Sequence, residues 1–141
     1  MSFTPLTVHG ITARHVMVPM RRPLGTSAMR MTHAPLLLID LQTQEGITGR
    51  AYLFCYLEAA GPAAVSLLRD AQGFLAGRSA APAAVRRALE TRFRLIGARG
   101  LTSMVAAGLD MAAWDALAQS AGLPLAVLLG GEGRPLPAHH S

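Results

Sequence analysis

Hydrophobic and polar residues alternate along the first third of the chain, which is the pattern of β-strands with one buried face. The alternation covers residues 6–18, returns as an apolar run at residues 36–41 and continues through residues 47–56. A Gly-containing turn at residues 44–46 joins the last two runs. Between the first two runs, residues 19–35 are rich in proline and methionine and predict a long loop of the kind that binds ligands.

The spacing of apolar residues changes to a helical period after Gly61. It predicts helices at residues 64–75 and 82–96, then a helix at residues 101–121 that is apolar nearly all round and therefore buried on most sides. A short helical turn follows at residues 125–129. The predicted fold class is α+β: a three-stranded antiparallel meander followed by a three- to four-helix bundle.

Length and composition narrow the class of protein. With 141 residues, 51% of them apolar and 15% charged, the chain suits one folded domain and is too hydrophobic to be disordered. It is also too short for a (β/α)₈ barrel, which needs about 250 residues. Cys55, the single cysteine, forms no internal disulfide and is predicted to be a packed side chain. Without a long apolar span or a signal-like N-terminus, the chain is predicted to be cytoplasmic.

The net charge of +5 first suggests a nucleic-acid partner. All 13 basic residues are arginines, however, and along the sequence they are scattered rather than grouped with stacking aromatics. We therefore interpret them as solvated helix faces and expect no nucleic-acid partner and no membrane partner.

Catalytic spacings are missing from the sequence. Asp110 and Asp115 lie about 140° apart around a helix, so we interpret them as capping or ion-pairing residues. Phosphate-binding and nucleophile motifs do not occur. His33, at the exit of the predicted loop, is placed to face a pocket. His139 and His140 would point to opposite sides of a strand and are not expected to share a metal ion.

A specific motif lies in the predicted third helix. Residues 106–117 read AAGLDMAAWDAL, followed by Gly122, Pro124-Leu125 and Leu128-Leu129-Gly130. This stretch resembles the N-terminal signature of the mandelate racemase and muconate lactonizing enzyme family, within the enolase superfamily. Val105 departs from it, since the family usually has alanine there. Further similarity covers Val18-Pro19-Met20, Pro23, Ala34-Pro35-Leu36, Ile39-Asp40-Leu41, Gly49 and Tyr52-Leu53-Phe54 with Tyr56, so that the resemblance extends over about residues 11–130.

The resemblance implies a division of the chain and of the chemistry. In that family the N-terminal domain caps a (β/α)₈ barrel, whose strand ends carry the catalytic lysines, the histidine–aspartate dyad and three acidic Mg²⁺ ligands. Residues 1–131 would then be the capping domain, and residues 132–141 the link and first strand of a missing barrel. No catalytic residue and no metal ligand is assigned to this chain, so Mg²⁺ is expected only in a full-length enzyme and the 141 residues alone are expected to be inactive.

The same resemblance implies a substrate-binding surface on the cap, where residues 20–32 and 54–56 would close over the substrate and exclude water. Its apolar wall would comprise Leu24, Ala28, Met31 and Phe54. Thr26 would also contact the substrate, and the hydroxyl of Tyr56 would face its polar end.

The implied function is the lid of a Mg²⁺-dependent enzyme that removes the proton α to a carboxylate and racemises small 2-hydroxy carboxylic acids. Two alternatives remain open. A cap of an acid-sugar dehydratase is favoured by Arg21, Arg22 and Arg30 in the predicted loop. A stand-alone binding or assembly module would instead dock another chain through the same surface. Because that surface is apolar, we expect a homo-oligomer.

Overall fold

A computed structural model describes residues 5–138. Within these residues, three strands precede four helices along the chain. In order, they are β1 Val8–Gly25, β2 Arg30–Thr43, β3 Thr48–Phe54, α1 Ala60–Leu75, α2 Pro82–Arg92, α3 Leu101–Ser120 and α4 Leu125–Leu128. The three strands form one antiparallel sheet in the order β1-β2-β3. The predicted α+β class, with its meander followed by helices, is confirmed, and residues 5–138 contain no barrel. His139 and His140 lie outside the described residues.

The prediction of a loop at residues 19–35 is wrong, because β1 and β2 continue through these residues as one long hairpin. Their pairing includes Pro19 with His33 and Gly25 with Arg30, with a register shift between Pro19 and Leu24. Residues 26–29 form the unpaired tip, and residues 20–23 bulge opposite Thr32 without partners in the ladder. Pro19 and Pro23 are tolerated because they lie in β1, which is an edge strand. On the open side of an edge strand, or at a register shift, a missing N–H removes no hydrogen bond of the ladder.

The helices cover one face of the sheet, and the core lies between the two layers. Large side chains that are fully buried there are Val8, Leu37, Ile39, Leu41, Leu68, Leu75, Val85, Leu89, Val105 and Leu109. Burying each such aliphatic side chain contributes about 1.5–3 kcal/mol. Helix α3 brings small residues to the sheet, so that its backbone approaches β3 closely at Gly49.

Helix α2 ends earlier than the sequence predicts. It stops at Arg92, and Gly97, with a φ of 88°, donates its N–H to the carbonyl of Phe93 at 2.8 Å. Ile96, the last residue of the predicted helix, is exposed. The glycine-terminated turn bends the chain away before Ile96 reaches the core.

Asp115 ties α3 to the outer edge of the sheet. Its carboxylate accepts the backbone N–H of Arg50 at 2.8 Å and the side-chain amide of Gln119 at 2.8 Å, while that amide also donates to the carbonyl of Thr48 at 2.9 Å. The prediction of a capping or ion-pairing role for Asp115 is therefore wrong, since the carboxylate instead occupies a free backbone donor of edge strand β3.

Candidate functional site

The candidate site is an open cleft of about 300 Å³ at one end of the sheet. The β1–β2 hairpin forms one wall and the segment after β3 forms the other. Among the residues that line it are Met17, Met29, Met31, His33, Tyr56 and Glu58. Three methionines give the cleft an apolar surface that can adapt its shape, because the methionine side chain is unbranched and flexible.

A tight turn after β3 presents Tyr56 to this cleft. The N–H of Cys55 donates to the carbonyl of Pro35 at 2.8 Å, and the N–H of Leu57 donates back to the carbonyl of Cys55 at 2.6 Å. Tyr56 between them has a φ of 60° and is the one non-glycine residue with positive φ among residues 5–138. Such a conformation costs about 1–3 kcal/mol, and it leaves the side chain 63% exposed.

The ring of Phe54 supports Tyr56 from the end of β3. The two ring centroids lie 5.0 Å apart with an interplanar angle of 64°, which is the favourable edge-to-face arrangement. Phe54 also pairs across the sheet with Leu36 of β2. The aromatic pair therefore links the end of the strand to the turn.

The hairpin tip is held by Thr26. Its N–H donates to the carbonyl of Met29 at 2.8 Å, and its hydroxyl donates to the same carbonyl at 3.1 Å. That hydroxyl also accepts the N–H of Met29 at 3.1 Å and of Ala28 at 3.3 Å. The Thr26 side chain is thus engaged within the tip and determines its shape.

The six residues predicted for substrate binding do not all meet. Met31 and Tyr56 line the cleft from opposite walls, and Phe54 contacts Tyr56. Leu24 lies opposite Met31 in the β1–β2 ladder and is 43% exposed. Thr26 and Ala28 occupy the exposed tip and do not line this cleft. Contact of all six residues with a substrate stays a prediction.

Sequence reasoning missed Met17 and Met29 and named His33 correctly as facing a pocket. Met17 pairs with Pro35 across the hairpin. Its place in the cleft therefore depends on the register between β1 and β2, which is set within residues 19–35, where the sequence predicts a loop. No signal in the local sequence reveals its place, because apolar and polar residues do not alternate through residues 17–25.

The cleft provides a surface that can fit a ligand and a few polar groups, but its lining residues are not arranged for proton transfer. His33 shares a 3.1 Å hydrogen bond with the hydroxyl of Thr32, and the charges of Arg30 and Glu58 lie nearby. Behind the cleft, burial raises the pKa of the Cys55 thiol, which packs in the core as predicted. No group of three or more His, Cys, Asp or Glu side chains within residues 5–138 is arranged to hold a metal ion.

A three-stranded meander with a helical layer on one face and a cleft at the hairpin end is the fold of an N-terminal domain of the enolase superfamily. Residues 9–130 match the family described as mandelate racemase / muconate lactonizing enzyme, N-terminal domain, and the chain belongs to this family. Within the described part of the chain, none of the helices is sufficiently long and apolar to span a membrane.

Solved structures of whole enzymes contain this fold. An enolase from Bradyrhizobium, complexed with magnesium and mandelic acid, is 44% identical, with a TM-score of 0.89 over 97% of this chain and 38% of its own. An enolase from the alphaproteobacterium BAL199 with bound magnesium is 41% identical, with a TM-score of 0.85 over 90% of this chain and 35% of its own. Muconate lactonizing enzyme from Pseudomonas fluorescens, complexed with muconolactone, is 25% identical, with a TM-score of 0.74 over 92% and 35%. The chain thus spans little more than a third of the proteins it matches.

Proposed function

We propose that this chain is the substrate-capping domain of a Mg²⁺-dependent racemase, an isomerase that acts on 2-hydroxy carboxylic acids. The observation that carries the proposal is the methionine-rich cleft, which Met31 and Tyr56 line from two different elements. The 44% identity to an enolase that holds magnesium and mandelic acid supports a 2-hydroxy acid with an aromatic or apolar side chain.

The cap would act by shape and by exclusion of water. Met17, Met29 and Met31 can adapt to an apolar substituent, and the Tyr56 hydroxyl can donate or accept a hydrogen bond at its polar end. Enclosing the substrate lowers the local dielectric and strengthens the electrostatic interactions that stabilise a developing negative charge. The cap thereby sets specificity without taking a proton itself.

Magnesium is not assigned to the residues described here. Mg²⁺ prefers an octahedral set of oxygen ligands, and residues 5–138 bring no such carboxylate cluster together. In the proposed full-length enzyme the ion is held outside this domain. The domain boundary is proposed at residue 131, because residues 131–138 are exposed and have neither helix nor strand.

A domain exchange tests the proposal. Residues 9–130 replace the matching segment of the Bradyrhizobium enolase, and mandelate binding and racemisation are measured by calorimetry and polarimetry. We expect binding to persist and Tyr56→Phe to weaken it several-fold, about 1 kcal/mol for one hydrogen bond. Tyr52→Phe is the matched control, since Tyr52 is 66% exposed and lies outside the cleft.

Two results would contradict the proposal. One is equal weakening by Tyr56→Phe and Tyr52→Phe, which would remove the cleft from substrate recognition. The other is a folded hybrid enzyme that turns over polyhydroxy sugar acids and leaves mandelate unchanged, which would favour the dehydratase alternative.

Self-association is the remaining part of the proposal. Large apolar side chains that are exposed at this end of the sheet are Met17, Val18, Leu24, Met29, Tyr56 and Leu57. Surfaces of this kind are covered in stable soluble proteins, so we expect the 141-residue chain to form a homo-oligomer, in the cytoplasm. Sedimentation velocity at tens of micromolar checks it, and a monodisperse monomer would contradict it.

A further inference from the structure

The excess positive charge of this domain falls in one stretch of the chain, although the arginines look scattered along the whole sequence. Residues 69–99 contain seven of the 13 arginines and two of the eight acidic residues, and the six remaining arginines are balanced by six remaining acids. This stretch comprises the second half of α1, helix α2 and the segments that follow each. The whole excess of +5 therefore belongs to the α1–α2 region, which contributes no residue to the cleft at the end of the sheet.

A second cleft of about 530 Å³ lies between the end of α1 and helix α2. Three arginines line it, together with two hydroxyl groups and an apolar floor. The residues that carry the argument are Arg78, Arg87, Arg92, Ser79, Thr91 and Phe74. The described residues that line the cleft include no acidic side chain, and its volume is in the range of small-molecule sites.

Arg92 is held in place as a fixed anchor. Its Nε and Nη2 donate to the two carboxylate oxygens of Asp70 at 2.8 and 2.5 Å, and its guanidinium lies 5.7 Å from the centroid of the Phe74 ring. The hydrogen bonds to Arg92 hold the pKa of Asp70 below its usual range, so the pair stays ionised near neutral pH. The Nη1 donors of Arg92 take no part in this pairing and stay available to a ligand.

Arg78 and Arg87 have no acidic partner within the part of the chain that the structure describes, where the ion pairs formed by arginine are those of Arg50, Arg86 and Arg92. Free guanidinium groups around one cleft repel one another and are neutralised best by a phosphate, which accepts paired N–H donors from several arginines. The hydroxyls of Ser79 and Thr91 add neutral donors at the same place.

We propose that this cleft binds a small organic phosphate. Its phosphate groups lie among Arg78, Arg87 and Arg92, and its apolar body lies against Ala84 and Ala88. A nucleic acid fits less well, because the one aromatic ring of the cleft already lies under Arg92 and successive bases lack a stacking surface. A second copy of this chain also fits less well, since five of its eight acidic side chains already bond within the fold.

The proposal goes beyond the capping function and stands independently of it. The test is calorimetric titration of the 141-residue chain with ADP at low ionic strength. Inorganic pyrophosphate and adenosine are titrated separately, because each carries only one part of ADP, the phosphates or the nucleoside. We expect saturable 1:1 binding of ADP, weaker binding of pyrophosphate and none of adenosine. Arg78→Ala and Arg87→Ala should each weaken ADP binding at least fivefold.

Arg69→Ala is the matched control, because Arg69 is an exposed arginine of α1 that does not line the cleft. It removes the same charge and should change the affinity less than twofold, and thermal melting shows that all three variants keep the fold. Equal losses in the three variants would mean diffuse attraction and would overturn the proposal. The absence of saturable ADP binding, or equal affinity for ADP and pyrophosphate, would overturn it as well.

Discussion

Gly49→Ala should destabilise the domain strongly, because β3 and α3 are in backbone contact at this position. A Cβ on Gly49 would lie 2.8 Å from the amide nitrogen of Ala116 and 2.9 Å from its Cβ, and closer still to the carbonyl oxygen of Ala112. Ordinary van der Waals contact begins at 3.4 Å, so the helix must move away by more than an ångström at the carbonyl of Ala112.

The magnitude follows from what has to move. Overpacking a core costs about 1–3 kcal/mol when side chains can adjust. Here the obstacles are main-chain atoms of a buried helix, so we expect a loss of about 3 kcal/mol in the free energy of unfolding. Because a domain is stable by only about 5–15 kcal/mol, a loss of this size shifts the unfolding midpoint clearly.

Urea unfolding followed by far-ultraviolet circular dichroism measures the effect, with Gly73→Ala as the matched control. Gly73 lies in α1 with no atom within 4 Å of its would-be Cβ, so the same substitution improves helix propensity and should add up to about 1 kcal/mol. A loss in the free energy of unfolding for Gly49→Ala and a gain for Gly73→Ala would separate the effect of packing from that of helix propensity. A loss below about 1 kcal/mol for Gly49→Ala would refute the close approach of β3 and α3.

Three further outcomes follow from individual contacts. Asp115→Ala leaves a backbone donor of β3 without its acceptor and should cost about 1–2 kcal/mol in urea unfolding, and Asp115→Asn, which keeps an acceptor oxygen, should cost less. Gly61→Ala directs a methyl group into the imidazole ring of His15 and should lower the melting temperature by several degrees, with partial recovery when His15→Ala is combined with it. The backbone N–H of Thr7 donates to the carboxylate of Glu45 and lowers its pKa. The carboxylate therefore stabilises the fold at pH values above the usual pKa of glutamate, and this stabilisation is lost as the pH falls. Glu45→Gln should make the free energy of unfolding depend less on pH in the acid range.

The sequence was sufficient for the fold because its two periodicities are strong and separate. Alternation in the first third and helical spacing afterwards correspond to the sheet and to the helices that cover it. Failure came at residues 19–35, where proline and glycine are typical of a loop. Whether Pro19 breaks a strand depends on whether its missing N–H would have faced a partner, and that is decided by the position of β1 at the sheet edge.

The candidate site was only partly predictable for a related reason. Met31 and Tyr56, two of the residues that the resemblance implied, both line the cleft, and their contact with a substrate stays a prediction. Met17 reaches it through a strand register that local sequence does not specify, and Tyr56 points outward because of a positive φ in a turn closed by Cys55 and Leu57. Neither register nor backbone conformation at a non-glycine residue can be derived from residue type alone.

Replacing the predicted loop by a paired hairpin changes how the proposed cap would close. A flexible segment that orders over a substrate loses about 1–2 kcal/mol of backbone entropy for every residue it fixes. Here β1 and β2 are already paired as far as Pro19 and again at Leu24 and Gly25, so much of that entropy is lost on folding and not on binding. Movement can then concentrate at the register shift between Pro19 and Leu24, where the ladder is interrupted. The hairpin would swing as one body and carry Met29 and Met31 toward the substrate together.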